Sequence, residues 1–259
     1  MNLSIIIPTR NRCSLLETTL KSISLQTFSP NNFEVIVVDN GSTDSTKQIV
    51  ESYINNIQNI HYYYDSTPGL HVGRHLGLKE AKADLLVYAD DDIEAFPTWL
   101  EGIWESFQDE EVVLVGGKNL PKWESEPPYW IYEMWMDINH YGHSLGYLSI
   151  LDFGNNIMEI DPGYVWGCNF SIKKNILIEA KGFHPDAFPQ DMIKYRGDGE
   201  TSVSDFIRKN NFKTIYNPKA SVFHFVPTNR MTIDYFCKRA FNQGISDSYT
   251  KARKKMLKC

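Results

Sequence analysis

The stretch Leu85-Leu-Val-Tyr-Ala-Asp-Asp-Asp-Ile93 constrains the chain more than any other. An apolar run of strand length passes directly into three consecutive carboxylates. Such a run reads as a strand buried on both faces, the pattern of a parallel sheet. The acids then fall at the strand's C-terminal edge, where open α/β sheets place their ligands. Three adjacent carboxylates repel one another, and burying them without a counter-charge is very costly. A divalent cation is the usual remedy, and oxygen ligands suit Mg²⁺ or Mn²⁺, ions that often hold phosphates. The plainer alternative is a solvated acidic turn, the commoner fate of a short charge run, so the surroundings have to decide.

Those surroundings alternate strand and helix. Leu3 to Ile7 is a short β-branched strand ended by the polar loop Pro8-Thr-Arg-Asn-Arg12. Ser14 can cap a helix to about Thr27. Glu34-Val-Ile-Val-Val38 is the second strand, ending at Asp39, and Ser42 or Thr43 can cap the helix after it. Ile60 to Tyr64 is a third strand, and a helix over 72–83 leads into the acidic one. This is a βαβ pattern with a parallel sheet. Right-handed crossovers bring the strand ends to one side, so Asp39, the Pro8–Arg12 loop and the acid cluster face one crevice.

Composition narrows the class. A chain of 259 residues, 42% hydrophobic and 22% charged, fits one large α/β domain or two small ones. A net charge of −6 speaks against a general nucleic-acid binder. No apolar run of about 18 residues predicts a membrane span, and the N-terminus lacks the basic region and cleavage site of a signal peptide. Cys13, Cys168, Cys237 and Cys259 are scattered, without the spacing of a zinc site or a disulfide framework, so a reducing cytoplasm is the simplest compartment. The first loop has no glycine to cradle a triphosphate, which disfavours a nucleotidyltransferase, and no Gly-x-Gly-x-x-Gly follows a strand, which disfavours a dehydrogenase.

From Pro121 to about Pro162 the periodicity weakens and aromatics crowd, among them Trp123, Tyr129, Trp130, Tyr132, Trp135 and Tyr141. We read a partly helical insertion lining a pocket, since aromatic faces pack against sugars, although each single ring is more often core. Gly182 is a plausible C′ residue after a short helix. The segment Arg196-Gly-Asp-Gly-Glu-Thr201 opens a helix to about Asn210, two strands follow, and a last helix spans about 232–243. Arg239 and Gln243 share a face of it. The basic tail Lys251-Ala-Arg-Lys-Lys255 is expected to be mobile.

Together these pieces resemble an inverting family 2 glycosyltransferase of the GT-A fold. The resemblance lies in Ser4-Ile-Ile-Ile-Pro-Thr-Arg-Asn-Arg12, Val37-Val-Asp-Asn-Gly-Ser-Thr-Asp-Ser45, Gly73-Arg-His-Leu-Gly-Leu-Lys-Glu-Ala-Lys-Ala-Asp84 and Ala89-Asp-Asp-Asp-Ile93, then Gly167-Cys-Asn169, Gly182-Phe183 and the Tyr216–His224 strand pair. It covers about residues 3–245. His75 stands where an Asn is more usual, and the aromatic insertion matches least.

The resemblance implies a Rossmann-like, mostly parallel sheet with helices on both faces and an acceptor-side subregion. Residues 1–118 would bind a nucleotide-sugar donor, 119–245 the acceptor and catalytic base, and 246–259 would form the basic tail. It implies a metal-dependent (Mn²⁺ or Mg²⁺) transfer from a nucleotide-diphosphate sugar, usually uridine-based, to a hydroxyl of a glycan or glycolipid, in surface polysaccharide biosynthesis from cytoplasmic donors. Pro8, Thr9, Asn11, Asp39 and Arg74 would hold the nucleotide, with Asp90 near the ribose or donor sugar. Relatives often place the first acid of Asp-x-Asp at the position of Ala89, which makes Asp91 the principal metal ligand, with Asp92 supporting and His224 as a further contact; Asp90 and Asp92 are the motif in the simplest reading of this sequence. Trp166, Gly167 and Asn169 would line the sugar or acceptor pocket. The base falls on Glu200, counting back from Asn211-Phe212, with Asp198 in reserve and Gly199 replacing the family's usual Glu. The competing readings are a nucleotide-sugar-binding protein without turnover and, less favoured, a sugar nucleotidyltransferase. The basic tail offers a peripheral contact for anionic lipid at the inner membrane face, with a solvated tail as the alternative.

Overall fold

The computed structural model describes residues 1–138, 141–188 and 190–256; Cys259 and the end of the predicted tail lie outside the described residues. The chain forms strands β1 (Leu3–Thr9), β2 (Phe33–Asp39), β3 (Ile60–Tyr64), β4 (Leu85–Ala89), β5 (Ile93–Ala95), β6 (Val112–Gly116) and β7 (Asn119–Trp123). These are followed by β8 (Met136–Ile138), β9 (Gly142–Leu145), β10 (Ile150–Asp152), β11 (Met158–Glu159), β12 (Asn169–Lys173), β13 (Lys213–Tyr216) and β14 (Val222–Val226). The helices are α1 (Cys13–Ser24), α2 (Thr46–Ser52), α3 (Leu70–Glu80), α4 (Trp99–Ser106), α5 (Tyr129–Met134), α6 (Lys174–Glu179), α7 (Thr201–Lys209) and α8 (Ile233–Met256).

Eight strands form one sheet in the order β11-β13-β6-β12-β4-β1-β2-β3. β1, β2, β3 and β4 are mutually parallel, as are β6 and β13, while β12 and β11 run against their neighbours. Alternation along β1 feeds two cores. Leu3, Ile5 and Ile7 pack on one face with Leu16 and Leu20 of α1 and Trp99 and Leu100 of α4. Ile6 packs on the other with residues of α6 and α7. α3 sits close on that second face because Gly77 is bare: a Cβ there would lie 2.2 Å from the Ile6 Cγ2. Both halves of the chain supply strands to this sheet.

A second sheet, β5-β14-β7-β10-β9-β8, contains much of the aromatic region. That region is built of short strands joined by irregular chain, with α5 as its one α-helix among the described residues. Its rings are largely packing. Trp123, Trp130, Trp135 and Tyr147 gather around Ile131, Leu148, Ile150 and Phe236 of α8, whereas Tyr129 and Tyr132 are exposed.

Three local expectations are revised. Neither Ser14 nor Ser42 caps a helix. α1 begins at Cys13, whose N–H donates to the Asp44 carboxylate, and the Ser42 hydroxyl accepts from the Asn11 N–H. After α6, Lys181 as well as Gly182 takes positive φ, so the left-handed turn begins one residue before the expected glycine. α8 continues through the predicted tail to Met256, and Arg253 and Lys254 are ion-paired rather than free. The expected boundary at 246 therefore falls inside a helix.

Candidate active site

Parallel pairing of β1 with β2 and β4 puts three strand ends side by side. A cleft of about 450 Å³ opens above them, lined by Pro8, Thr9, Arg12, Asn40 and Asp90 among others. Asn11 takes positive φ, and its side-chain carbonyl accepts from the Thr43 N–H at 2.7 Å, tying the first loop to the second. Asp39 is buried and accepts from the Ser42 N–H at 2.7 Å and from the Tyr62 hydroxyl at 2.8 Å. Its carboxylate is thus fixed at the end of β2, next to Asn40, which lines the cleft. None of the aromatic residues of 121–162 is among those lining this cleft.

The three acids diverge. Asp91 accepts from the Thr9 hydroxyl at 2.6 Å and from the Arg12 guanidinium at 2.8 Å. Burial pushes its carboxyl up to about 6 against the pull of Arg12. Asp90 and Asp92 instead converge with His224, their ligand atoms all within 4.8 Å of one another. His224 sits on β14 of the second sheet, which pairs antiparallel with β5 just after the acids. The expected principal ligand, Asp91, is therefore turned to Thr9 and Arg12, where its charge already has partners.

The donor set fits a divalent cation. His224 Nδ1 lies 2.9 Å from the Leu148 carbonyl, an arrangement suited to the tautomer that donates from Nδ1 and offers the Nε2 lone pair as a ligand. That lone pair faces Asp92 Oδ1 at 3.3 Å, and this buried oxygen has no hydrogen-bond partner among the described residues. Two acceptors aimed at each other with a third carboxylate alongside need a positive charge between them. A histidine whose other nitrogen is fixed by a carbonyl is the usual form of a metal ligand. Arg12 and Arg230, neither anticipated as a site residue, also approach Asp92, at 3.0 and 3.5 Å. Their signal in the sequence was slight: Arg12 closes the first loop, and Arg230 is one arginine in a turn.

Arg74 links the acids to the predicted base. It is buried on α3, 3.8 Å from Asp90 and 3.4 Å from Glu200, with its guanidinium over the Phe183 ring. Gly167 makes room for it: a Cβ there would lie 1.9 Å from the Arg74 Nη2. The Gly167 N–H also points at Glu200, at 3.4 Å. Glu200 is the N-cap residue of α7, yet its side chain makes no capping bond and turns to Arg74 and Gly167 instead. Burial would raise its carboxyl; Arg74 and the backbone N–H groups outweigh burial and hold it below the usual range. It is ionised at neutral pH and able to accept a proton.

Two expected residues are occupied elsewhere. Asn169 is buried with both ends of its amide engaged, by Trp99 Nε1 and by Asn119 and the Ala220 carbonyl, so it braces the sheet instead of facing a sugar. Asp198, the reserve base, is enclosed by His184, Thr250 and Arg253. Trp166 is half-buried, its indole N–H held by the Gly163 carbonyl. Gln243 donates to Asp247 on its own helix.

Residues 4–179 match the profile of Glycosyl transferase family 2. The chain belongs to this family. It is 39% identical over 103 residues to a validoxylamine A glucosyltransferase of Streptomyces hygroscopicus, a match covering 39% of this chain and 22% of that protein. It is 22% identical over 249 residues to a glucosyl-dolichyl phosphate glucuronosyltransferase of Haloferax volcanii, covering 95% of this chain and 76% of that one. The chain thus spans about a fifth of the first relative and three quarters of the second. Among solved structures, the mannosyltransferase PcManGT of Pyrobaculum calidifontis in complex with GDP-Man and Mn²⁺ superposes with a TM-score of 0.62 at 18% identity, over 89% of this chain and 58% of that one. That likeness establishes a GT-A fold, a mixed α/β architecture around a mostly parallel sheet. No helix among the described residues is long and apolar enough to cross a membrane.

Proposed function

We propose that this family 2 chain is a metal-dependent inverting glycosyltransferase, moving a sugar from a nucleoside-diphosphate donor to a hydroxyl of a glycan or lipid-linked glycan. The observation that carries the reading is the buried Arg74, with Asp90 on one side and Glu200 on the other. It sets an ionised carboxylate beside the acid cluster, across a single shared guanidinium. Asp90, Asp92 and His224 would hold the cation, Mn²⁺ or Mg²⁺. When bound, that ion supplies Lewis-acid stabilisation of the departing diphosphate. Pro8, Thr9, Asn11 and Asp39 would form the nucleotide floor, Arg12 and Arg230 would lie against the diphosphate, and Gly167 with Trp166 would border the sugar.

Glu200 acts as general base. It takes the proton from an acceptor hydroxyl as the oxygen forms its bond to the anomeric carbon, opposite the diphosphate. The bond from that carbon to the diphosphate oxygen breaks, the nucleoside diphosphate leaves with the electron pair, and configuration inverts. A uridine donor follows from the family resemblance. A lipid-linked acceptor follows from the dolichyl-phosphate relative and fits a role in surface polysaccharide assembly, with peripheral contact at a membrane face through the basic end of α8. Residues 1–118 serve the donor and 119–245 the acceptor and base, although His224 crosses that division.

The test is thermal shift with UDP, GDP, dTDP, CMP and ATP, each with and without Mn²⁺, followed by nucleotide release from the matching sugar donor. One diphosphate should raise the melting temperature only with Mn²⁺, and Glu200→Gln should keep that shift and lose release by roughly 10²–10⁴-fold. Binding without any release in the wild type would leave a nucleotide-sugar-binding protein.

A further inference from the structure

Asp198 lies two residues before Glu200, and its side chain is fully enclosed. Its Oδ1 meets His184 Nδ1 at 2.5 Å, and its Oδ2 accepts from the Thr250 hydroxyl at 2.7 Å and from Arg253 Nη2 at 3.0 Å. Both oxygens are engaged and neither is exposed, so Asp198 is not placed to deprotonate an acceptor. Thr250 and Arg253 come from the far end of α8, some fifty residues downstream. Ser246, one turn earlier, donates to the Gly197 carbonyl at 2.9 Å and accepts from Arg196 Nε at 3.0 Å. Residues 246, 250 and 253 stand at i, i+4 and i+7, a single helix face, and all three grip the segment 196–198.

We propose that the C-terminal third of α8 is a strut that positions the Glu200 loop, with Thr250 and Arg253 as positioning residues acting through Asp198. The inference rests on the reading of Glu200 as base. The loop needs such a brace on its outer side. On its inner side it is held by two backbone bonds, Gly197 N–H to the Pro185 carbonyl at 2.7 Å and His184 N–H to the Gly199 carbonyl at 3.1 Å, and by the Arg196–Asp186 ion pair at 2.7 Å. Gly199 takes positive φ between the braced residue and the base. The Thr201 N–H donates to the Asp198 carbonyl at 2.9 Å, so displacing Asp198 displaces the start of α7 and Glu200 with it. Arg253 also reaches Asp205 on α7 at 3.1 Å, and Lys254 reaches it at 2.9 Å. Removing the α8 donors would leave a buried carboxylate facing His184 alone, a costly state that the loop can relieve only by moving.

The experiment compares the full chain with Thr250→Val/Arg253→Gln, Arg253→Lys and Glu200→Gln. Three quantities are read: the thermal shift with UDP and Mn²⁺, steady-state release of nucleotide from UDP-glucose, UDP-glucuronic acid, UDP-N-acetylglucosamine or GDP-mannose, and amide hydrogen exchange over 197–204. The double variant should lose about tenfold in kcat, equivalent to about 1.4 kcal/mol, at unchanged donor KM and unchanged UDP shift, with faster exchange at 197–204. Arg253→Lys should recover most of the loss. Unchanged exchange and kcat in the double variant, with Glu200→Gln inactive, would overturn the strut and leave the base intact. A parallel fall in UDP binding and kcat would also overturn it, by showing general damage. Full release by Glu200→Gln would refute the base assignment, and the exchange data would still decide whether α8 braces the loop.

Discussion

The acid cluster at the end of β4 and the Glu200 loop at the start of α7 both place carboxylates against Arg74, but they are built in opposite ways. At the strand edge, position comes from the backbone. Parallel registers of β1, β2 and β4 fix where Thr9, Asp39 and the acids emerge, and His224 arrives on another strand. The Glu200 loop has no ladder to fix it. Its geometry comes from side chains, Asp198 above all, and from a helix that the chain reaches fifty residues later. A site assembled on a sheet edge tolerates loss of one side chain without moving its neighbours, whereas a loop held by side chains does not.

The largest expected effect tests the edge. Asp92→Asn and His224→Ala should each abolish the Mn²⁺-dependent nucleotide shift and lower turnover on the order of a hundredfold or more, as expected when charge stabilisation of a leaving group is lost. Asp91→Asn should weaken the shift without abolishing it, because the side chain meets Thr9 and Arg12. Calorimetric Mn²⁺ titration with UDP separates these outcomes. Equal loss in all three would return Asp91 to the ligand set, as the family register implies.

The next effect lies where the two regions meet. Gly167→Ala would press a methyl group onto the Arg74 guanidinium. Overpacking of this kind costs about 1–3 kcal/mol, and here the strain would fall on the residue between Asp90 and Glu200. Turnover should drop by more than the lowered melting temperature alone explains, with Mn²⁺–UDP binding reduced as well. If melting temperature falls while both activities at 25 °C stay at wild-type level, Arg74 is a packing residue and does not link the two regions.

Legibility in the sequence follows the same division. The order β1-α1-β2-α2-β3-α3-β4 and the convergence of Asp39, the first loop and the acids can be read from periodicity, because each strand carries its own apolar pattern. Which acids face one another cannot be read from it. Adjacent residues on a turn point in different directions, and the choice between Asp91 and the Asp90–Asp92 pair depends on Thr9 and Arg12 of the first loop and on His224 of β14, two parts of the chain far from the acids in sequence. The aromatic region misleads for a related reason. Rings dense enough to suggest a pocket are the core of a small second sheet, whose strands are too short to show alternation. The C-terminal basic run reads as a solvated tail because its partners, Asp198 and Asp205, are some fifty residues away in the sequence. A capping role for Glu200 is what helix rules predict, and its turn toward Arg74 is the departure that marks it.

The smallest expected effect concerns acid stability of the braced loop. Burial alone would raise the Asp198 carboxyl, and the bonds from His184, Thr250 and Arg253 outweigh burial and hold it below its ordinary value. A group with a depressed folded pKa contributes stability that is fully present above its unfolded value, about 3.9, and is lost as pH falls through the folded one. The groups facing it are His184 from the preceding loop, Thr250 and Arg253 from α8, and, across Arg253, Asp205 of α7 with Lys254. Melting temperature followed from pH 7 to pH 3 should therefore stay level on this account down to about pH 4 and decline below it. In Asp198→Asn the curve should start lower and its acid limb should be shallower, since one carboxylate no longer titrates. Parallel acid limbs in the two proteins would mean that Asp198 is already paired in the unfolded chain or is protonated in the folded one. Either case would remove the electrostatic basis for α8 gripping the loop, and the strut would then have to depend on Ser246 and backbone contacts alone.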